Sequence, residues 1–161
     1  MLSSAIEGLR DQRVLVTGAS SGIGAGIARA FGACGARVMI HYRSTEAGAA
    51  RTAADVIALG GAAMTVQADL RDEAAIEQLF GQVDTAWGGL DILVNNAGIV
   101  HKGSALETTA GQWDETLNIN LRAPFLLSRQ AARRMIAAGQ GGNIVNITSI
   151  AGTRSAESMA A

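Results

Sequence analysis

The sequence has few aromatic residues, few cysteines and little net charge, and each shortage excludes something. Aromatics make up 4% of its 161 residues while 48% are hydrophobic, so the core has to be assembled mainly from Ala, Val, Ile and Leu. One cysteine, Cys34, excludes an intramolecular disulfide. It falls on the apolar stripe of the first expected helix, where a buried structural thiol is expected, because a reactive thiol needs an electropositive, partly exposed setting. A formal net charge of −1 argues against a nucleic-acid partner drawn in by bulk electrostatics. No apolar run approaches the roughly 20 residues of a membrane span. With the early charges Glu7, Arg10, Asp11 and Arg13 and no apolar h-region, no secretory signal is visible, so a cytoplasmic location is expected. His41 and His101 stand apart from other ligand-type residues, which speaks against a metal site. No carboxylate pair shows acid/base spacing, and no repeat, linker or low-complexity tract divides the chain. A single domain over residues 1–161 is expected.

Glycine is plentiful, at 20 residues, and its placement is informative. Val14-Leu15-Val16-Thr17-Gly18-Ala19-Ser20-Ser21-Gly22-Ile23-Gly24 reads as a short apolar strand, a glycine-rich turn and the start of a helix running to about Ala33. A helix N-terminus offers unpaired backbone N–H groups and a partial positive charge, and glycines let a phosphate approach that backbone. The spacing is G-x-x-x-G-x-G rather than G-x-G-x-x-G. On its own the motif is also compatible with a turn chosen for tight packing.

Apolar runs at Arg13–Thr17, Arg37–His41, Ala63–Gln67, Ile92–Asn95 and Asn143–Thr148 predict strands buried on both faces. Between them the 3.6-residue period predicts helices with Ile23, Ile27, Ala30, Phe31 and Cys34 on one buried stripe. Ala47, Ala50, Ala54 and Ile57 form a second stripe, and Ile76, Leu79, Phe80, Val83 and Trp87 a third. This alternation implies an α/β fold with a doubly wound parallel sheet. Ligands bind such sheets at the carboxyl ends of the strands. Every strand delivers polar or glycine residues there: the glycine turn, then Tyr42-Arg43-Ser44, Asp69-Leu70, Asn95-Asn96-Ala97-Gly98 and Ser149. Each alone is ordinary turn chemistry; together they favour one shared nucleotide site.

Thr17-Gly18-x-x-x-Gly22-Ile23-Gly24, Asp69, Asn95-Asn96-Ala97-Gly98, Asn120 and Asn143 to Ser149 occur in the order and spacing of the short-chain dehydrogenase/reductase family, which the chain resembles over nearly its whole length. The resemblance implies a Rossmann-like sheet in strand order 3-2-1-4-5 with helices on both faces, incomplete at the C-terminus. It also implies hydride transfer between a nicotinamide cofactor and an alcohol/carbonyl pair, and a homo-oligomer, dimer or tetramer. Gly18, Gly22 and Gly24 would shape the pyrophosphate turn, with Ser20, Ser21 and Ile23 beside it. Asp69 and Leu70 would border the adenine, Asp69 doubling as a helix N-cap. Asn96, Ala97 and Gly98 would line the ribose side. An acidic residue ending the second strand would bind the ribose 2′-OH and repel a 2′-phosphate. Here Tyr42, Arg43 and Ser44 stand there, and a guanidinium suits phosphate. NADP(H) is therefore favoured. Ser21 stands in the turn where some members place a basic residue, which keeps NAD(H) as the alternative.

On the catalytic side, the resemblance assigns Ser149 to the substrate oxygen and Asn120 to a water-holding carbonyl. Pro124 supplies an independent reason for that carbonyl to be free: it lies four residues on, has no N–H, and should kink a helix expected over Ala110 to Ala138. The family's tyrosine stands thirteen residues after its serine, which from Ser149 is position 162, past Ala161. Tyr42 belongs to the second strand and Lys102 to a loop, so neither the catalytic tyrosine nor its lysine is carried, and the chain alone is expected to be inactive. Leu117, Leu121, Phe125, Leu126, Leu127, Met135 and Ile136 would leave apolar surface on the long helix. The tail from Ala151 is expected to be mobile, and His101 and the Gly152–Met159 loop to border a substrate pocket. Two readings stay open. One is most of an NADP(H)-dependent oxidoreductase; the other is a dinucleotide-binding or interaction protein without turnover.

Overall fold

The computed structural model describes residues 7–152. The expected mobility of the tail and the expected substrate-bordering role of Gly152–Met159 therefore lie almost wholly outside the described residues. After a 3-10 turn at Glu7–Leu9, strand β1 (Arg13–Val16) leads through the glycine turn into α1 (Gly22–Ala33). Strand β2 (Arg37–Tyr42), α2 (Glu46–Ala58), β3 (Ala62–Gln67), α3 (Glu73–Trp87) and β4 (Ile92–Asn95) follow. Then come α4 (Ala110–Leu117), α5 (Ala123–Ala138), β5 (Asn143–Asn146) and a closing 3-10 turn at Ile150–Gly152. The five strands form one parallel sheet in the order β3-β2-β1-β4-β5, as the strand–helix alternation requires.

Side chains alternate across the central strands, so the sheet has two cores. Leu15, Met39 and Leu93 point to one face and pack with Ile76, Leu79, Phe80 and Val83 of α3 and with Leu126, Leu127 and Met135 of α5. Val14, Val16, Val38, Ile40, Ile92 and Val94 point to the other and pack with Ala28 of α1 and Ala49 and Val56 of α2. Phe80 is fully buried, and its ring carries the Arg134 guanidinium 4.7 Å from its centroid, held in turn by Asp84. Burying one phenylalanine contributes about 1.5–3 kcal/mol.

The third helical stripe is as expected, with Trp87 only half-buried. The first two are not. Helix α1 buries Gly24, Ala25, Ala28 and Gly32 and leaves Ile23 69% exposed; α2 buries Gly48, Ala49, Thr52 and Val56 and leaves Ile57 57% exposed. These two helices lie so close that Gly32 abuts the backbone of Val56. Close approach selects small residues, so the stripe of large ones is the wrong guide here. Cys34 is half-buried rather than enclosed. The outer strands also depart from expectation. All four residues of β5 are exposed, as are Ala62, Met64, Thr65 and Gln67 of β3.

The long helix is interrupted as Pro124 requires. A π-helical turn at Asn118–Arg122 joins α4 to α5, with the Ala123 N–H bonded five residues back to the Asn118 carbonyl. Such single-turn insertions accommodate a residue that cannot join the regular ladder. Helix α4 starts at a capping box, the Thr109 hydroxyl accepting from the Gln112 N–H while the Gln112 side-chain Oε1 accepts from the Thr109 N–H.

Candidate functional site

Because the strands are parallel, their carboxyl ends share one edge, and hydrogen bonds tie those ends together. The Thr17 side chain is completely buried. Its Oγ1 donates to the Val94 carbonyl (3.2 Å) and accepts from the N–H groups of Asn96 (2.9 Å) and Ala97 (3.0 Å), which uses its one donor and both acceptor positions. Asn96 returns the link: its Nδ2 donates to the carbonyls of Thr17 (2.8 Å) and Gly18 (3.2 Å). Gly18 has φ of 63°, a left-handed conformation that glycine adopts at little cost. At Gly24 a Cβ would collide with Asn96 Nδ2 and stand 2.5 Å from the Gly18 carbonyl oxygen. The turn is thus drawn tight against the end of β4. Ser21 begins α1 in extended conformation with no side-chain cap bond, so the first-turn amides of α1 face outward with the partial positive charge of the helix end.

His41, set aside above as isolated, proves central to this edge. It is 2% exposed. Its Nδ1 accepts from the Gly18 N–H (3.0 Å) and its Nε2 lies 3.0 Å from the Ala68 carbonyl, so it spans the ends of β1, β2 and β3. Burial pushes its pKa below the ordinary histidine value, with the Ala68 bond and the Asp69 charge opposing. No sequence pattern marks such a residue; only the parallel register brings those ends together.

A cleft opens over these groups. It is lined by Gly18, Ser20, Tyr42, Arg43, Ser44, Leu70, Asn96, Ala97 and Gly98 of the anticipated residues, and by His41, Thr45, Ala68, Ile99 and Ile119 besides. Ser21 and Gly22 face an adjoining depression with Arg29 and Arg51, and Ile23 and Gly24 complete the turn behind it. Arg43 is exposed at the end of β2, and Thr45, the residue before α2, makes no side-chain cap bond. Asp69 is gripped through both oxygens by Arg71, which holds its pKa at about 2. It does not cap α3; Asp72 does, accepting from the Ala74 N–H (2.9 Å). Arg71 continues to Glu115 on α4, which bonds His101 (3.0 Å). His101 is therefore engaged in a polar chain with Glu115 and Arg71.

The two catalytic candidates lie outside this cleft lining. Asn120 sits in the π-helical turn, and its side chain brackets Ile99, Oδ1 accepting from the Ile99 N–H (2.9 Å) and Nδ2 donating to its carbonyl (2.8 Å). That side-chain role, fixing the segment after β4, is additional to the carbonyl role anticipated. Ser149 is exposed after β5, with its Oγ accepting from the Ala151 N–H (3.1 Å). Among the described residues no cluster of ligand-type side chains could hold a metal, and no helix is long and apolar enough to cross a membrane.

Residues 12–161 match the family model described as short chain dehydrogenase. The chain belongs to the short-chain dehydrogenase family. Galactitol 2-dehydrogenase of Agrobacterium fabrum is 38% identical over 146 residues, which cover 91% of this chain and 56% of that one. The 3-oxoacyl-[acyl-carrier-protein] reductase of a Synechocystis strain is 36% identical over 144 residues, covering 89% and 58%. A short chain dehydrogenase of Burkholderia cenocepacia J2315, solved in complex with NADP, superposes with a TM-score of 0.87 at 44% identity, covering 94% of this chain and 60% of that one. The chain thus spans a little over half the length of the curated short-chain dehydrogenases it matches. Its fold is that of the family, a five-stranded Rossmann-like sheet.

Proposed function

We propose that the protein is an NADP(H)-dependent oxidoreductase interconverting an alcohol and a ketone or aldehyde. The observation that carries this reading is the β2 corner of the cleft. Arg43, Ser44 and Thr45 present a guanidinium, uncommitted hydroxyls and a helix start, with no carboxylate from β2 itself. That donor set fits a 2′-phosphate. The tight Gly18–Gly24 turn fits a pyrophosphate, since side chains are missing where it would approach. The Burkholderia relative, bound to NADP, supports the same choice.

The nicotinamide, when bound, supplies or accepts the hydride. The chain's own residues do the rest. Gly18, Ser20, Ser21, Gly22, Ile23 and Gly24 hold the pyrophosphate, Asp69 and Leu70 border the adenine, and Asn96, Ala97 and Gly98 line the ribose side. Ser149 Oγ accepts from Ala151, which leaves its own O–H to donate to the substrate oxygen. A hydrogen bond there stabilises developing alkoxide charge. Pro124 cannot donate to the Asn120 carbonyl, so that oxygen keeps capacity for a water. The chain's one tyrosine, Tyr42, is 7% exposed at the end of β2, and no tyrosine–lysine pair faces Ser149 among the described residues. Residues 1–161 by themselves are accordingly proposed to bind dinucleotide without completing proton transfer. Leu121 (66% exposed) and Phe125 (60%) border a groove on α4 and α5 with Leu117, which supports a homo-oligomer of the whole protein.

Titration of the chain with NADPH and NADH tests the cofactor. NADPH is expected to bind more tightly, and Arg43→Glu to weaken NADPH by about tenfold or more while sparing NADH, since a hydrogen bond to a charged group is worth about 1.5–3 kcal/mol. Tighter binding of NADH by the unmodified chain would overturn the choice.

A further inference from the structure

We propose that His41 is the positioning residue that holds the glycine turn in its binding shape, and that a proton on its Nδ1 releases the turn, making dinucleotide binding acid-sensitive. The proposal rests on the dinucleotide reading of the cleft and extends it to a control on that site.

The two partners of the ring dictate its state. The Ala68 carbonyl can only accept, so Nε2 must carry hydrogen; the Gly18 N–H can only donate, so Nδ1 must be bare. Both bonds coexist only in the neutral Nε2–H tautomer. A proton on Nδ1 sets two N–H donors against each other inside a site that is 2% exposed, and no water-filled space separates them at 3.0 Å. The ring is held at Nε2 by the Ala68 carbonyl, and the turn is tied to the same strand end by the Ala19 N–H, which bonds the His41 backbone carbonyl (2.9 Å). With Nε2 held by Ala68, the repulsion of a second donor falls on the Gly18 contact. The Gly18 carbonyl accepts from Asn96 (3.2 Å) and lies against Gly24, so displacement of Gly18 spreads through the whole turn and into the start of α1.

The charges around the ring set the window. Asp69, on the segment after β3, favours the proton but is itself paired with Arg71. From β2, Arg43 and Tyr42 line the same cleft; β1, the glycine turn and β4 bring no ionisable side chain to its lining. Burial outweighs Asp69 and lowers the pKa from 6.5. A base that binds its proton less readily folded than unfolded contributes stability that is whole above the unfolded value and is lost as pH falls below it. The turn is therefore intact above pH 6.5 and opens only as pH falls through the ring's own, lower value in the fold.

Two measurements on the full 161-residue chain test this. NADP+ affinity is compared between about pH 7.5 and about pH 5.5 for the unmodified chain and for His41→Asn, whose amide oxygen can accept the Gly18 N–H without titrating. The 2′-phosphate of the ligand titrates near pH 6 itself, so the quantity read is the ratio between the two proteins. The unmodified chain is expected to lose about tenfold more affinity in acid than the variant; equal losses overturn the proposal. The second measurement follows the His41 ring nitrogens and the Gly18 amide by nitrogen-edited NMR without ligand. A bare Nδ1 at neutral pH and a Gly18 amide that moves with the ring's own titration support it. A Gly18 amide that stays still while the ring titrates overturns it, even where His41→Asn fails to fold. Failure of NADP+ to bind at any pH would instead count against the dinucleotide reading, which the ligand-free titration does not depend on.

Discussion

Gly24→Ala should disable the site and weaken the fold, while Gly26→Ala, two residues along the same helix, should stabilise it. At Gly24 the added methyl meets Asn96 Nδ2, the Gly18 carbonyl oxygen at 2.5 Å and Ala19 Cα at 3.0 Å. Two of these are backbone atoms of a turn that already holds a left-handed glycine, so they cannot yield by rotating a side chain. Overpacking of this kind costs about 1–3 kcal/mol. Dislodging Asn96 adds the loss of its bonds to Thr17 and Gly18, each worth about 1 kcal/mol. The sum, about 3–5 kcal/mol, should appear as a lower denaturation midpoint, and dinucleotide affinity should fall by at least about tenfold, since 1.4 kcal/mol is one decade. At Gly26 nothing lies within 4 Å of the added carbon. There only helix propensity changes, in favour of alanine by roughly 0.5–1 kcal/mol. Equal effects at the two positions would refute the close-approach argument.

Thr17→Val should be the second most damaging change, although it preserves shape. The hydroxyl is the common partner of the Asn96 and Ala97 amides. Removing it leaves two partly buried N–H groups without their acceptor, and each costs about 1–3 kcal/mol. A loss of about 2–6 kcal/mol in urea denaturation is expected on that basis, with most of it restored in Thr17→Ser. The segment Asn96–Gly98 should also exchange its amide hydrogens faster in Thr17→Val, because its tether to β1 is gone. A loss below about 0.5 kcal/mol, within the range of an ordinary surface change, would show that water replaces the hydroxyl freely.

The layout of this edge was legible in the sequence wherever it depends on chain order. The alternation of apolar runs and helices predicts a parallel sheet, and a parallel sheet places the residues after each strand side by side. Gly18, Tyr42, Arg43, Leu70 and Asn96 are found together for that reason. What eluded pattern reading was contact between segments distant in sequence. The buried faces of α1 and α2 follow from how closely the helices approach, which hydrophobic period does not encode. Small residues won over Ile23 and Ile57 there. Asp69 looked like a cap, but Asp72 at the true helix start took that place. His41 gave no signal because its partners, Gly18 and Ala68, are joined to it by register alone. Asn120 was marked through Pro124 for its carbonyl, while its side chain's grip on Ile99 depends on where the π-helical turn delivers it.

Amide chemical-shift mapping during an NADP+ titration is the sharpest test of the strand-end cleft as a dinucleotide platform. Saturable shifts are predicted at Gly18 to Gly24, Tyr42 to Thr45, Asp69–Leu70 and Asn96 to Gly98, with NAD+ producing the same pattern at lower affinity. Absence of saturable binding, or shifts confined to the Leu117–Phe125 groove, would contradict it.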